Sequence, residues 1–189
     1  MKEKSKYIFL DRDGVINVDA GNGYVDNWKR FRFLPGSLEA LRLLRENGYK
    51  VVVVSNQAGV AKGLYSLKEL HAMTRRIKRA VEAHGGKLTA VYYCPHQRED
   101  DCSCRKPKTG LFRKAKKRFG MTFRESVLVG DSMVDIAAGK ALRCQTILVL
   151  SGREALSHRA EWSVKPDRVQ KNLLEAVRWV LRKECGSTS

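Results

Sequence analysis

Two aspartates two residues apart, in Asp11-Arg12-Asp13-Gly14, are the side chains of this sequence best placed for transfer chemistry. They follow the apolar run Tyr7-Ile8-Phe9-Leu10, and in extended backbone residues two apart point the same way. A carboxylate so placed can attack phosphorus and hold the phosphoryl group as an aspartyl ester, dividing hydrolysis into two easier steps. Its neighbour can protonate the leaving oxygen and later activate water. Carboxylates facing a phosphate dianion repel it, so the arrangement calls for a hard divalent cation such as Mg2+. The same residues also read as a turn with helix-capping acids, and only their company separates the two readings.

That company recurs after other apolar runs. Ser55-Asn56-Gln57 closes a run of four valines and offers a hydroxyl and an amide to phosphate oxygens. Lys106, in Cys104-Arg105-Lys106-Pro107, offers a fixed positive charge to a phosphoryl group in transit. Asp131, in Val129-Gly130-Asp131-Ser132, is the natural further cation ligand, and Asp135 follows at helical spacing to orient a ligand or a lysine. Singly these are caps, turns or solvated surface. Together, in order and each behind an apolar run, they favour phosphoryl transfer.

Cys94-Pro95-His96, five further residues, then Cys102-Ser103-Cys104 form a second constellation. Three thiols and an imidazole match a closed, tetrahedral structural Zn2+ site with no position left for water. Such a site would shape the loop and aim Arg105 and Lys106. Reduced structural cysteines are the plainer alternative, and a Cys102–Cys104 disulfide would be strained at that separation. Cys144 and Cys185 read as buried or incidental, and His71, His84 and His158 have no partner pattern.

These residues need elements to hold them. Short runs rich in β-branched residues predict strands at Tyr7–Leu10, Lys50–Ser55, Ala90–Cys94, Ser126–Gly130 and Gln145–Leu150. Amphipathic stretches between them predict helices: one from Ser37 to about Asn47, a second opened by the capping box at Ser66 and Glu69 and running to about His84, and others over Thr109–Phe119, Met133–Leu142 and Asn172–Glu184. The alternation implies an α/β fold: a doubly wound, mostly parallel, Rossmann-like sheet with helices on both faces. Ligands then bind at the carboxyl ends of the strands, where every motif above falls. Residues 1–189 read as one domain without a large cap. The aperiodic stretch 17–34 would be a flap beside the site, residues 94–104 a small zinc loop, and Gly186 to Ser189 a disordered tail.

In these motifs the sequence resembles the haloacid dehalogenase-like phosphatase superfamily. The resemblance implies Asp11 as nucleophile, Asp13 as acid/base, Ser55 and Lys106 as phosphoryl-steadying residues, and Mg2+ held by Asp11, Asp131 and the main-chain carbonyl of Asp13. The cysteine loop and Ser55-Asn56-Gln57-Ala58-Gly59-Val60-Ala61-Lys62-Gly63 look like the subgroup of heptose-bisphosphate and histidinol-phosphate phosphatases. That likeness implies a small phosphorylated sugar met by Asp19, Tyr24, Asn56, Gln57 and Arg105, with histidinol phosphate as the alternative substrate.

Composition sets the outer limits. The chain carries 37 Lys and Arg against 20 Asp and Glu, a net charge of +17. Such a chain welcomes anions. The excess is scattered, and no nucleic-acid-binding signature accompanies it, which argues against a 3′-end nucleic-acid phosphatase. No apolar run approaches the ~20 residues needed to span a bilayer, and Met1 to Lys6 lack a signal-peptide core. A cytoplasmic monomer without a membrane partner is expected.

Overall fold

The computed structural model describes residues 6–21 and 23–185, with the side chains of residues 184 and 185 left out. The readings of the first five residues, of the Cys185 side chain and of the tail Gly186 to Ser189 lie outside the described residues.

The five predicted strands form as β1 (Lys6–Leu10), β2 (Tyr49–Asn56), β3 (Leu88–Cys94), β4 (Val127–Gly130) and β5 (Gln145–Val149). A sixth, β6 (Arg168–Gln170), extends the sheet to the order β3-β2-β1-β4-β5-β6. All of its strand pairings are parallel, so the expected mostly parallel sheet is parallel throughout. Sequence reasoning missed β6 because it is three residues long and exposed or half-buried at the edge, so no apolar run announces it.

The valines of β2 show why the sheet is covered on both sides. Val51 and Val53 pack with α1 (Ser37–Glu46), α2 (Leu67–Ala83) and α5 (Leu173–Cys185). Val52 and Val54 face the other way, into a cluster with α3 (Gly110–Phe119) and α4 (Met133–Leu142). All four are buried, and full burial of each such side chain contributes about 1.5–3 kcal/mol. Local signals set the helix starts. Ser66 Oγ accepts from the Glu69 amide at 3.2 Å, while the Ser66 amide donates to Glu69 Oε2 at 2.7 Å. Asn172 Oδ1 accepts from the Glu175 amide at 3.0 Å and opens α5 in the same manner.

Among the described residues of 17–34 there is no helix or strand. The segment is pinned by isolated bridges from Asn17 to Asp13 and Phe33, and by Val25 and Phe31, which bury themselves in the α1-side core. Trp28 stacks on Phe31 with ring centroids 5.1 Å apart. Among the described residues no helix is long and apolar enough to cross a membrane. The strand order reverses direction at β1, so a crevice opens beyond the carboxyl ends of β1 and β4.

Candidate active site

Asp11 leaves β1 and Asp131 leaves β4, neighbouring strands that pair Leu10 with Val129. Their carboxylates meet with that of Asp135, the three offering oxygens within 4.8 Å of one another. Glycines create the room. A Cβ on Gly14, whose φ is +75°, would lie 2.2 Å from Asp131 Oδ2, and one on Gly152 would lie 2.0 Å from the same oxygen. Any larger residue would expel Asp131 from the nest.

Lys106 is the counter-charge. Its ammonium lies 3.0 Å from Asp11 Oδ1 and 2.6 Å from Asp135 Oδ1, and it donates to the Val54 carbonyl at 2.7 Å. Burial by itself would depress this ammonium, but Asp11 and Asp135 hold its pKa above the ordinary value. One cation does not balance three carboxylates. Burial pushes Asp11 up to about 6, opposed by Lys106 and reinforced by Asp135 and Asp13. Burial also drives Asp131 well above the carboxylate range, with Asp135 and Asp11 adding to it. Carboxylates this crowded accept either protons or a divalent cation, and the all-oxygen donor set suits Mg2+. Asp135 is engaged by Lys106 and by Ser132 Oγ at 2.5 Å, Asp11 by the same lysine and the Arg12 amide, and Asp131 by the Arg153 amide.

Asp13 has different surroundings. Arg12 Nη2 donates to both its oxygens at 2.9 Å, Asn17 Nδ2 to Oδ1 at 2.8 Å, and Gln57 Nε2 to Oδ2 at 2.7 Å. Although burial opposes it, the Arg12 guanidinium, aided by these amides, keeps the carboxyl below its usual range.

These groups line a cavity of about 460 Å³, a size suited to a small ligand. Its wall includes Asp11, Asp13, Tyr24, Ser55, Asn56, Cys102, Arg105, Lys106 and Asp131, so nine of the residues singled out in the sequence come together. Asp19 and Gln57 are placed otherwise. Asp19 stands outside the wall, its Oδ2 accepting from Arg153 Nε at 3.0 Å, and Gln57, 2% exposed, lies behind Asp13. Asn56 lines the cavity but also grips the main chain of Lys106 on both sides, accepting from its amide at 3.0 Å and donating to its carbonyl at 3.2 Å.

Three cationic wall residues escaped sequence reasoning: Arg98, Lys108 and Arg153. Arg153 follows β5 and its amide donates to Asp131 Oδ2 at 3.0 Å, so the rule that ligands gather at strand ends could have found it. Arg98 and Lys108 belong to polar, aperiodic loop sequence that carries no such signal.

The thiol loop also gathers. Cys94, His96, Cys102 and Cys104 put their ligand atoms within 4.8 Å of one another. Cys94 Sγ is 3.5 Å from Cys102 and 3.2 Å from Cys104, Cys102 and Cys104 are 3.2 Å apart, and His96 Nδ1 is 3.2 Å from Cys104 and 3.7 Å from Cys94. Zn–S bonds of ~2.3 Å imply tetrahedron edges of about 3.8 Å, so the cluster is slightly compact but has the right shape. The cysteines are free thiols, which removes the disulfide alternative. Arg105 Nη1 donates to the His96 carbonyl at 3.1 Å and so ties the cavity wall to the loop.

A family model described as HAD-hydrolase-like matches residues 103–176. The D-glycero-beta-D-manno-heptose-1,7-bisphosphate 7-phosphatase of Pseudomonas aeruginosa is 40% identical over 146 residues, covering 77% of this chain and 82% of that protein. The enzyme of the same name from Haemophilus ducreyi is 35% identical over 182 residues, covering 93% and 98% respectively. Among solved structures, the D,D-heptose 1,7-bisphosphate phosphatase of B. bronchiseptica, complexed with magnesium and phosphate, superposes with a TM-score of 0.89 at 34% identity, covering 94% of this chain and 99% of that one.

Proposed function

Because the chain belongs to the D-glycero-beta-D-manno-heptose-1,7-bisphosphate 7-phosphatase family of HAD-like hydrolases, we propose that it removes the 7-phosphate of that sugar bisphosphate. The observation that carries the choice of substrate is the charge of the cavity wall. Arg98, Arg105, Lys108 and Arg153 line the same cavity as the Asp11 nest, Lys108 paired with Asp101 and Arg153 with Asp19. A ligand with a second phosphate satisfies such a wall. Histidinol phosphate brings an ammonium group, which those cations repel.

In this reading Asp11 is the nucleophile and Asp13 the acid/base, with Ser55 and Lys106 steadying the phosphoryl oxygens. A carboxylate oxygen of Asp11 bonds to phosphorus as the bond from phosphorus to the sugar oxygen breaks. Asp13 delivers a proton to that departing oxygen. The Arg12 cage keeps Asp13 ionised in the free protein, so the proton it delivers is taken up from solvent as the substrate binds, and the later water step returns it. Asp13 then takes a proton from water, the resulting hydroxide attacks phosphorus, and Asp11 is regenerated with release of inorganic phosphate. Asp11, Asp131 and the main-chain carbonyl of Asp13 would hold Mg2+, which supplies charge neutralisation to the incoming dianion. Cys94, His96, Cys102 and Cys104 would hold a structural Zn2+. Tyr24, Asn56 and Arg105 sit on the cavity wall to meet the sugar, and Asp19 reaches it through Arg153. The proposal extends to a single-domain, cytoplasmic monomer serving nucleotide-activated heptose and lipopolysaccharide precursor synthesis.

The test is phosphate release by the purified, Mg2+-loaded protein, with the position of cleavage read by phosphorus NMR. Loss of the 7-phosphate with retention of the 1-phosphate is expected. Turnover of histidinol phosphate with none of the bisphosphate would overturn the proposal.

A further inference from the structure

Gln57 has both ends of its amide committed inside the protein. Its Nε2 donates to Asp13 Oδ2 at 2.7 Å and to Ser55 Oγ at 3.1 Å, and its Oε1 accepts from the Tyr65 hydroxyl at 2.7 Å. The orientation is forced by chemistry. A carboxylate only accepts, so the amide nitrogen must face Asp13 and the oxygen must face Tyr65. Tyr65 can complete that pattern only as a donor. Burial pushes its hydroxyl up to about 12, so it keeps its proton. Gly59 makes way for the ring, since a Cβ there would lie 2.3 Å from Tyr65 Cε1. The edge of the same ring meets Tyr24 of the cavity wall, with centroids 6.5 Å apart.

We infer that Tyr65 and Gln57 are positioning residues for the reaction: Tyr65 fixes the direction of the Gln57 amide, and that amide aims Asp13 at the leaving oxygen. Gln57 is thereby moved from the substrate contacts to the support of the acid/base, and Tyr65 acquires a role in turnover. The inference rests on the acid/base role proposed for Asp13. Without the Tyr65 hydroxyl the amide can turn its oxygen towards the carboxylate, where two acceptors repel and Asp13 loses its aim.

The experiment compares kcat/KM for two substrates: the sugar bisphosphate, whose alkoxide must be protonated as it leaves, and an aryl phosphate whose acidic phenol leaves without a proton. The variants are Tyr65→Phe, Gln57→Leu, the double variant and Asp13→Asn, each checked by thermal melting. With the sugar phosphate, Tyr65→Phe should lose about fivefold and Gln57→Leu about tenfold or more. The double variant should lose no more than Gln57→Leu alone, because both act through one amide. With the aryl phosphate all three should lie within about twofold of the parent.

Equal losses on both substrates, additive losses, or parental activity of Tyr65→Phe on the sugar phosphate would overturn the relay. Tyr65→Phe keeps the ring and its contact with Tyr24, so it decides the matter even if Gln57→Leu fails to fold. Asp13→Asn separates the two levels of the argument. If it turns over the sugar phosphate at the parental rate, the acid/base reading falls and the relay with it. If it is inactive there while Tyr65→Phe is unaffected, the relay alone fails.

Discussion

Asp11 and Asp131 leave paired strands buried on both faces, whereas His96, Cys102 and Cys104 lie on a stretch with no helix or strand. The carboxylates are therefore held in place by the sheet, against their mutual repulsion and before any ion arrives. The thiols are held by one another, by β3 at Cys94, and by the Asn56 grip on Lys106. A cation at the first cluster would relieve strain already built into the fold. A cation at the second would be part of the fold of that loop. Removing each metal should accordingly have unlike consequences, in chemistry for one and in shape for the other.

The sharpest break in this contrast comes from Asp11→Asn. Turnover should fall by at least roughly a thousandfold, because the amide cannot form the aspartyl ester. The melting temperature should hold or rise, since one crowded negative charge is gone. Substantial residual hydrolysis measured under single-turnover conditions would take Asp11 out of the nucleophile role.

Lys106→Met comes next. It strips the lysine from the carboxylate nest and leaves Asp11 and Asp135 buried without this partner, which should cost about 3–5 kcal/mol of stability as well as activity. Urea denaturation with and without Mg2+ checks it. A variant as stable as the parent would mean that Lys106 does not offset the repulsion described above.

For the loop, Cys102→Ser should reduce zinc content, read by a metal-sensitive dye, and lower kcat/KM by roughly tenfold or more through KM. The sheet should melt almost as before. An unchanged KM with zinc lost would separate the loop from substrate binding.

The smallest effect is in pH. Folded Asp11 keeps its proton up to a pH of about 6, against 3.8 as its ordinary value. Between those values the folded chain binds the additional proton, so Asp11 contributes stability that is present at low pH and lost as pH rises through about 6. Metal-free Asp11→Asn should thus be more stable than the parent at neutral pH, and the difference should shrink on acidification through pH ~6. Mg2+ should shrink it too, by competing with the proton. A difference that widens in acid would reverse the sign of the shift.

Much of this contrast was legible in the sequence. Five strands announced themselves as apolar runs, four because they are buried on both faces and β3, half-buried at the edge, through its aromatic and β-branched residues, and Asp11, Ser55 and Asp131 stand where such runs end. The thiol cluster was legible from ligand type and spacing. The Gln57 relay was not, because its meaning depends on what lies behind Asp13 in space, and Tyr65 is eight residues further along the chain. Arg12 between the aspartates gave no hint that its guanidinium, 2% exposed, turns back to cage Asp13. Asp19 looked like a sugar contact, yet its partner Arg153 is 134 residues away.

The grip of Asn56 on the main chain of Lys106 has a consequence for how this scaffold can diversify. One carboxamide at the end of a rigid strand welds the exit of the thiol loop to the hydrolytic machinery. What lies upstream, from Gln97 to Asp101, can then be rewritten in composition as a replaceable cassette while the lysine stays in register. Substrate preference and bond-breaking become separate modules, and grafting another loop between His96 and Cys102 should redirect the catalyst without rebuilding it.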